Sequence, residues 1–113
     1  MTKRDEERAA HALTRVRDFL AGDPRVLPGS LVERSMICGK VNCRCRDEPP
    51  QLHGPYSQWS YTVANKRFTR WLTPDQRERY RPRIEAGKQL RELLKELERL
   101  ETLSAERTEG WGR

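Results

Sequence analysis

Apolar residues recur along this chain with different periods, and each period predicts a different element. In residues 2–22, Ala9, Leu13, Val16 and Leu20 fall 4, 3 and 4 positions apart, Phe19 lies beside them, and Gly22 follows as a stop signal. That spacing predicts an amphipathic helix. Asp23-Pro24-Arg25-Val26-Leu27-Pro28-Gly29 is rich in turn residues and reads as a connector. Residues 30–37 are too few and too rich in Val, Leu and Ile for another helix, so they predict a strand.

Residues 46–52 contain Pro49 and Pro50 in sequence, which forbids a helix and interrupts a sheet ladder, so this stretch is a loop. From Tyr56 to Val63 the period changes to two. Trp59, Tyr61 and Val63 fall on one side of an extended chain, with Gln58, Ser60 and Thr62 on the other. This predicts a half-buried strand whose aromatic side belongs to the core. Ala64-Asn65-Lys66 reverses the chain, Asn65 tolerating a left-handed backbone, and residues 67–72 return as the second strand of a hairpin. Arg67, Thr69 and Trp71 are expected on its exposed face.

Thr73-Pro74-Asp75-Gln76 carries every start signal of a helix: an N-cap hydroxyl, Pro at the first helical position, an acid in the first turn, and Gln at the capping-box position. Pro82 is expected to kink or restart that helix. Beyond it Ala86, Leu90, Leu93, Leu97 and Leu100 repeat at 4, 3, 4 and 3, with Leu94 and Leu103 alongside, as a heptad-like seam. A helix from Pro82 to Glu106 is about 37 Å long against about 30 Å for the first one. The two can pair as an antiparallel hairpin, and the excess leaves Leu94, Leu100 and Leu103 for a second protomer or a partner helix.

The organisation predicted is therefore residues 1–28 as an N-terminal helix and linker, 29–73 as a small sheet module, 74–107 as a long amphipathic helix, and 108–113 as a disordered tail. The fold class is α+β, a small antiparallel β-sheet flanked by two helices. Composition changes one part of this picture. Of 113 residues only 35% are hydrophobic, and the two end segments are highly charged, so the middle has little apolar surface to bury. A metal would offset that shortage.

The donors for one are present. Cys38, Cys43 and Cys45, all the cysteines of the chain, lie with His53 inside sixteen residues. Three thiolates and an imidazole are the complement of a closed tetrahedral structural Zn²⁺ site, a Cys3His zinc knuckle. Their odd number and a polar N-terminus unlike a secretory signal point away from disulfides and toward a reduced, cytoplasmic setting. His53 has an alternative role in hydrogen bonding to the Gly54-Pro55 turn, and Asp47 or Glu48 would then complete the site as an oxygen donor. His11 lies on a charged helical background and reads as a solvated residue. No apolar run is long enough to span a bilayer, and mean hydropathy is −0.99.

Charge locates the functional candidates. The net charge of +6 divides as +1 over residues 1–30, +4 over 31–72 and +1 over 73–113. The excess consists of Arg34, Lys40, Arg44, Arg46, Lys66, Arg67 and Arg70, interleaved with Tyr56, Trp59, Tyr61, Phe68 and Trp71. Basic groups and aromatics on a small sheet suit phosphate binding and base stacking.

The run Gly29-Ser30-Leu31-Val32-Glu33-Arg34, then Cys38-Gly39-Lys40, Cys43-Arg44-Cys45 and His53-Gly54-Pro55-Tyr56, ahead of a hairpin ending near Arg70 and a Leu/Glu/Arg-rich helix, resembles a family of small uncharacterised bacterial proteins. That family carries a GSLVER, CGKxxCRC and HGPY series, and its members are often encoded near transposase-like genes. The resemblance covers roughly residues 29–100. It departs from the family pattern in a long loop between Cys45 and His53 and in Ser57, where an aromatic is usual. It implies the module and leaves the activity open.

These readings converge on a zinc-stabilised nucleic-acid-binding accessory protein, DNA being the expected target and a mobile element the expected setting. No Ser/His/Asp set, Gly-rich phosphate loop or H-x-E pair is present, so no enzyme is expected. Two alternatives stay open. One is an interaction or dimerisation adaptor in which Leu90, Leu93, Leu97 and Leu100 form the seam for a homodimer or a partner helix. The other is a thiol redox sensor, in which Lys40 and Arg44 lower the thiol pKa values when metal is absent.

Overall fold

The computed structural model describes residues 3–36, 42–48, 51 and 53–112, with the side chains of Met36, Cys45 and His53 outside that description. Its elements in chain order are α1 (Lys3–Ala21), β1 (Ser30–Met36), the 3₁₀ turn η1 (Arg44–Arg46), β2 (His53–Val63), β3 (Lys66–Leu72) and α2 (Pro74–Glu109). They fall into two compact units. One comprises Leu27–Glu85, the other the chain up to Val26 together with Ala86 onward. The architecture is α+β, with a three-stranded antiparallel sheet in the order β1-β2-β3.

Within the sheet unit, backbone conformation explains the punctuation of the sequence. Ala64 and Asn65 both have positive φ, 50° and 65°, which makes the two-residue connection of β2 and β3 a turn of the I′ kind. Its twist matches that of the flanking strands. Ala64 has no side-chain group to support a left-handed backbone, so Ala64→Asn is expected to stabilise the protein by about 0.5–1 kcal/mol. Urea denaturation with an unchanged slope and a higher midpoint checks this.

β2 starts earlier than its alternation predicts, at His53 rather than Tyr56. Arg34 pairs with Tyr56 and Met36 with His53, so two steps on β1 oppose three on β2. The extra residue is a bulge containing Gly54 and Pro55. Proline is tolerated there because β3 pairing begins only at Ser57, and a bulge needs no ladder donor from it. Gly54, with φ at 113°, lies where an added Cβ would come within 2.8 Å of the Arg34 carbonyl oxygen.

The connector before β1 is held from both sides. The Trp59 indole N–H donates to the Pro28 carbonyl at 2.8 Å, and the Leu27 N–H donates to Arg83 in α2 at 2.9 Å. The start of α2 is the capping box the sequence predicts: the Gln76 N–H donates to Thr73 Oγ1 at 3.2 Å, and the Thr73 N–H donates to Gln76 Oε1 at 2.9 Å. α2 then runs through Pro82 as one element of 36 residues, instead of restarting there. The carbonyl that loses its helical partner belongs to Glu78, which is exposed, as is Pro82.

In the helical unit the buried face of α1 is Asp5, Ala9, Ala12 and Val16, whereas Leu13 and Leu20 of the predicted stripe are exposed. The true seam is the narrower one because Ala9 and Ala12 let α2 approach closely, and Leu97 and Leu100 pack into the space they leave. Burying each leucine contributes about 1.5–3 kcal/mol. Asp5, only 6% exposed, accepts hydrogen bonds from Arg107 on both carboxylate oxygens at 2.6 Å, which sets the two helices antiparallel. The segment expected to fray from residue 108 instead closes the helix. Gly110 has φ at 71° and the Trp111 N–H donates to the Glu106 carbonyl at 3.0 Å, a Schellman cap.

Candidate nucleic-acid interface

Cross-strand partners in an antiparallel sheet project to the same side, so the register sorts the side chains of β1–β3 into two faces. Leu31 is opposite Trp59, Ser57 opposite Leu72, and Tyr61 opposite Phe68. This face meets the first turns of α2: Trp59 stacks on Tyr80 with ring centroids 6.4 Å apart, and Glu33 forms an ion pair with Arg77. Ser57 is buried here.

The opposite face carries Ser30, Val32, Arg34, Tyr56, Gln58, Ser60, Thr62, Arg67, Thr69 and Trp71. It is open, since Val32 is 44%, Tyr56 42% and Trp71 52% exposed. Tyr56 and Trp71 meet edge to face, with centroids 6.2 Å apart and planes at 84°. Next to them the Ser60 and Thr69 hydroxyls lie 3.5 Å apart. None of these ten residues is acidic, and among the described residues neither Arg34 nor Arg67 takes part in an ion pair. Two solvent-facing rings, a row of hydroxyl and amide groups and two cations are a surface for stacking, hydrogen bonding and anion contact.

The basic residues expected to form one patch are divided by strand alternation. Arg34 and Arg67 are on the open face. Lys66 and Arg70 turn to the other one, where they stand over Phe68 at 5.6 and 5.3 Å, and Arg70 Nε donates to the Tyr61 hydroxyl at 3.2 Å. Arg44 and Arg46 are exposed in η1. Lys40 lies outside the described residues.

Of the four expected metal ligands, Cys38 lies outside the described residues, and Cys45 and His53 are described by backbone alone. Cys43 is half-buried and precedes η1, its carbonyl accepting the Arg46 N–H at 3.0 Å. Asp47 and Glu48, the alternative oxygen donors, are exposed. Among the described residues no three Cys, His, Asp or Glu side chains cluster at metal-binding range. The seam residues of α2 lie inside the helical unit: Leu93 and Leu100 are buried, Leu97 packs against Ala9 and Ala12, and Leu90 is half-buried. Leu94 is the leucine left exposed.

Two groups escaped the sequence reading. The pairing of Tyr56 with Trp71 was one, although Tyr56 is the single aromatic at the polar phase of β2 and so carried a signal. The other is a groove of about 600 Å³ along α1, whose polar lining is Arg4, Glu7, Arg8, His11 and Arg15 of α1 and Glu96 and Arg99 of α2. The 4, 3, 4 spacing of Arg4, Arg8, His11 and Arg15 was legible. Arg99 hydrogen-bonds to Glu96 at 2.8 and 3.0 Å, which holds that carboxyl below its usual range and raises the pKa of the guanidinium. Arginines of the first turns of α2 have structural employment: Arg81 pairs with Glu85 at 3.1 Å, and Arg79 and Arg83 stand over Tyr80.

Among the described residues no helix is long and apolar enough to cross a membrane. A family model described as "Domain of unknown function (DUF6788)" matches residues 4–82. No curated protein and no solved structure matches the chain.

Proposed function

The chain belongs to the DUF6788 family, whose function is open, and from its own residues we propose that it is a zinc-stabilised nucleic-acid-binding protein, with DNA as the expected target. The observation that carries the reading is the open, acid-free sheet face with Tyr56 and Trp71 beside Arg34 and Arg67. Charge supports it. The Leu27–Glu85 unit holds eleven basic against six acidic groups, a net +5 of the chain's +6. Its role is binding rather than catalysis, and zinc would supply structure only.

Support for the metal comes from sequence chemistry and from backbone register. The donor set of Cys38, Cys43, Cys45 and His53 fits a structural tetrahedral site. β1 ends at Met36, paired with His53, and Cys38 follows two residues later, a reach of about 7 Å along the chain. Cys43 caps the tight η1 turn and Cys45 lies within it, and the Gln51 N–H is tied to the same turn through the Arg44 carbonyl at 3.0 Å. Zinc there would close the long connection between β1 and β2, whose own apolar content is small.

Fluorescence anisotropy with 30-residue oligonucleotides, single- and double-stranded, tests the binding claim. Affinity is expected to fall linearly on a log–log salt plot, with a slope of about −0.7 per phosphate neutralised for single strands and about −0.9 for duplex. Arg34→Ala and Arg67→Ala should each reduce the slope by roughly one such contact. No binding of either form at low salt would remove the proposal.

A further inference from the structure

We infer that the right-angled corner formed by Tyr56 and Trp71 seats an unpaired base of a single-stranded nucleic acid, with Arg34 and Arg67 contacting phosphates to either side. The inference rests on the nucleic-acid reading above and adds the kind of strand and the way it is held.

The geometry favours a single strand for three reasons. First, Trp71 and Tyr56 meet at 84°, so a base stacked on the exposed face of one ring brings its edge against the other. Paired bases inside a duplex are already stacked on their neighbours and offer no free face. Second, the major groove of a duplex admits a helix or a two-stranded ribbon. This face is three strands wide, about 10 Å between outer strand axes before side chains are added. Third, Arg67 lies four residues from Trp71 along β3, about 13 Å, with Ser60 and Thr69 between them. An extended strand leaving the corner along β3 therefore passes hydroxyls suited to base edges before it reaches a cation. The absence of any carboxylate from the ten residues of the face disfavours a basic or mixed-charge protein segment as occupant.

The test uses the full chain and three probes at one salt concentration: a 15-residue oligothymidine, a 15-residue strand of abasic sites with the same phosphates, and a 15-base-pair duplex. Wild type is expected to prefer oligothymidine to both others. Trp71→Ala should weaken oligothymidine binding by about 5- to 150-fold, the range for loss of one stacked base. The same change should leave abasic-strand binding within a factor of two or so, because abasic sites have no base to stack. Trp71→Phe should restore most of the loss, and Tyr56→Ala, checked for folding by circular dichroism, should reproduce it.

Equal affinity for abasic and thymidine strands, unaffected by Trp71→Ala but weakened by Arg67→Ala, would overturn base stacking while leaving nucleic-acid binding intact. Preference for duplex would overturn the single-strand assignment. Failure to bind any of the three would remove both this inference and the function it rests on.

Discussion

If zinc holds the sheet unit as proposed, a strong chelator is expected to unfold it. Structural zinc in small modules contributes about 10–16 kcal/mol of apparent folding free energy, and a small domain has only about 5–15 kcal/mol of net stability in all. The long β1–β2 connection would then lose its proposed closure, and with it the alignment of Met36 with His53. Near-ultraviolet circular dichroism should report the loss through Trp59, whose environment depends on stacking with Tyr80. Native mass spectrometry should find one zinc per chain before chelation and none after it. Cys38→Ser, Cys43→Ser and Cys45→Ser should each mimic the chelator. Acid should act in the same direction, because thiolates must protonate to release the metal, so this stability is lost as pH falls. A metal-free protein with an intact sheet would refute the zinc reading.

Gly29→Ala should be strongly destabilising. Gly29 has φ at 83°, and a Cβ added there would stand 2.0 Å from the Ser60 carbonyl oxygen and 2.9 Å from the Tyr61 Cβ. Both obstacles are set by β2 backbone, the central strand, so neither can move without breaking the ladder. The left-handed conformation alone costs a non-glycine residue about 1–2 kcal/mol. With the clash added, the loss should be on the order of 3 kcal/mol or more, read as a drop in melting temperature. Gly22→Ala is the internal control. A Cβ there meets its nearest neighbour at an ordinary 3.6 Å, so its effect should be small. Similar losses for the two variants would mean that Gly29 is not the close-approach point described.

Both outcomes bear on the candidate site through the sheet. Zinc would anchor one end of β2 near His53, and Gly29 lets the connector lie against its other half near Ser60. Tyr56 and Ser60 of the open face lie close to these two points. A destabilised β2 should therefore weaken oligonucleotide binding as well as folding, whereas Arg34→Ala should weaken binding alone.

Local chemistry made some features legible in advance. The Thr73/Gln76 capping box forms as read because its hydrogen bonds span three residues and need no other part of the chain. The Ala64-Asn65 reversal and the alternation of β2 are equally short-range. Features requiring a distant partner were not legible. Hydrophobicity favoured Leu13 and Leu20 for the face of α1, yet Ala12 and Asp5 are buried instead, because close approach by α2 rewards small side chains and Arg107 neutralises the acid. The Schellman cap at Gly110 was within reach of the sequence, since a glycine after a helical run is its usual sign.

What the sequence determined by itself was a set of short-range commitments: a helix, a three-strand module with a hairpin, a capped second helix, a Cys/His donor series and a basic middle. Periodicity, turn chemistry and charge act over a few residues, so they can be read without a fold. The tertiary structure alone decided which of those residues share a surface. Register sent Arg34 and Arg67 to one face and Lys66 and Arg70 to the other, and brought Tyr56 within 6.2 Å of Trp71 across fifteen residues of chain. A shift of one residue in pairing would move a strand's side chains to the opposite face, and the energy choosing between registers comes from packing between elements far apart in sequence.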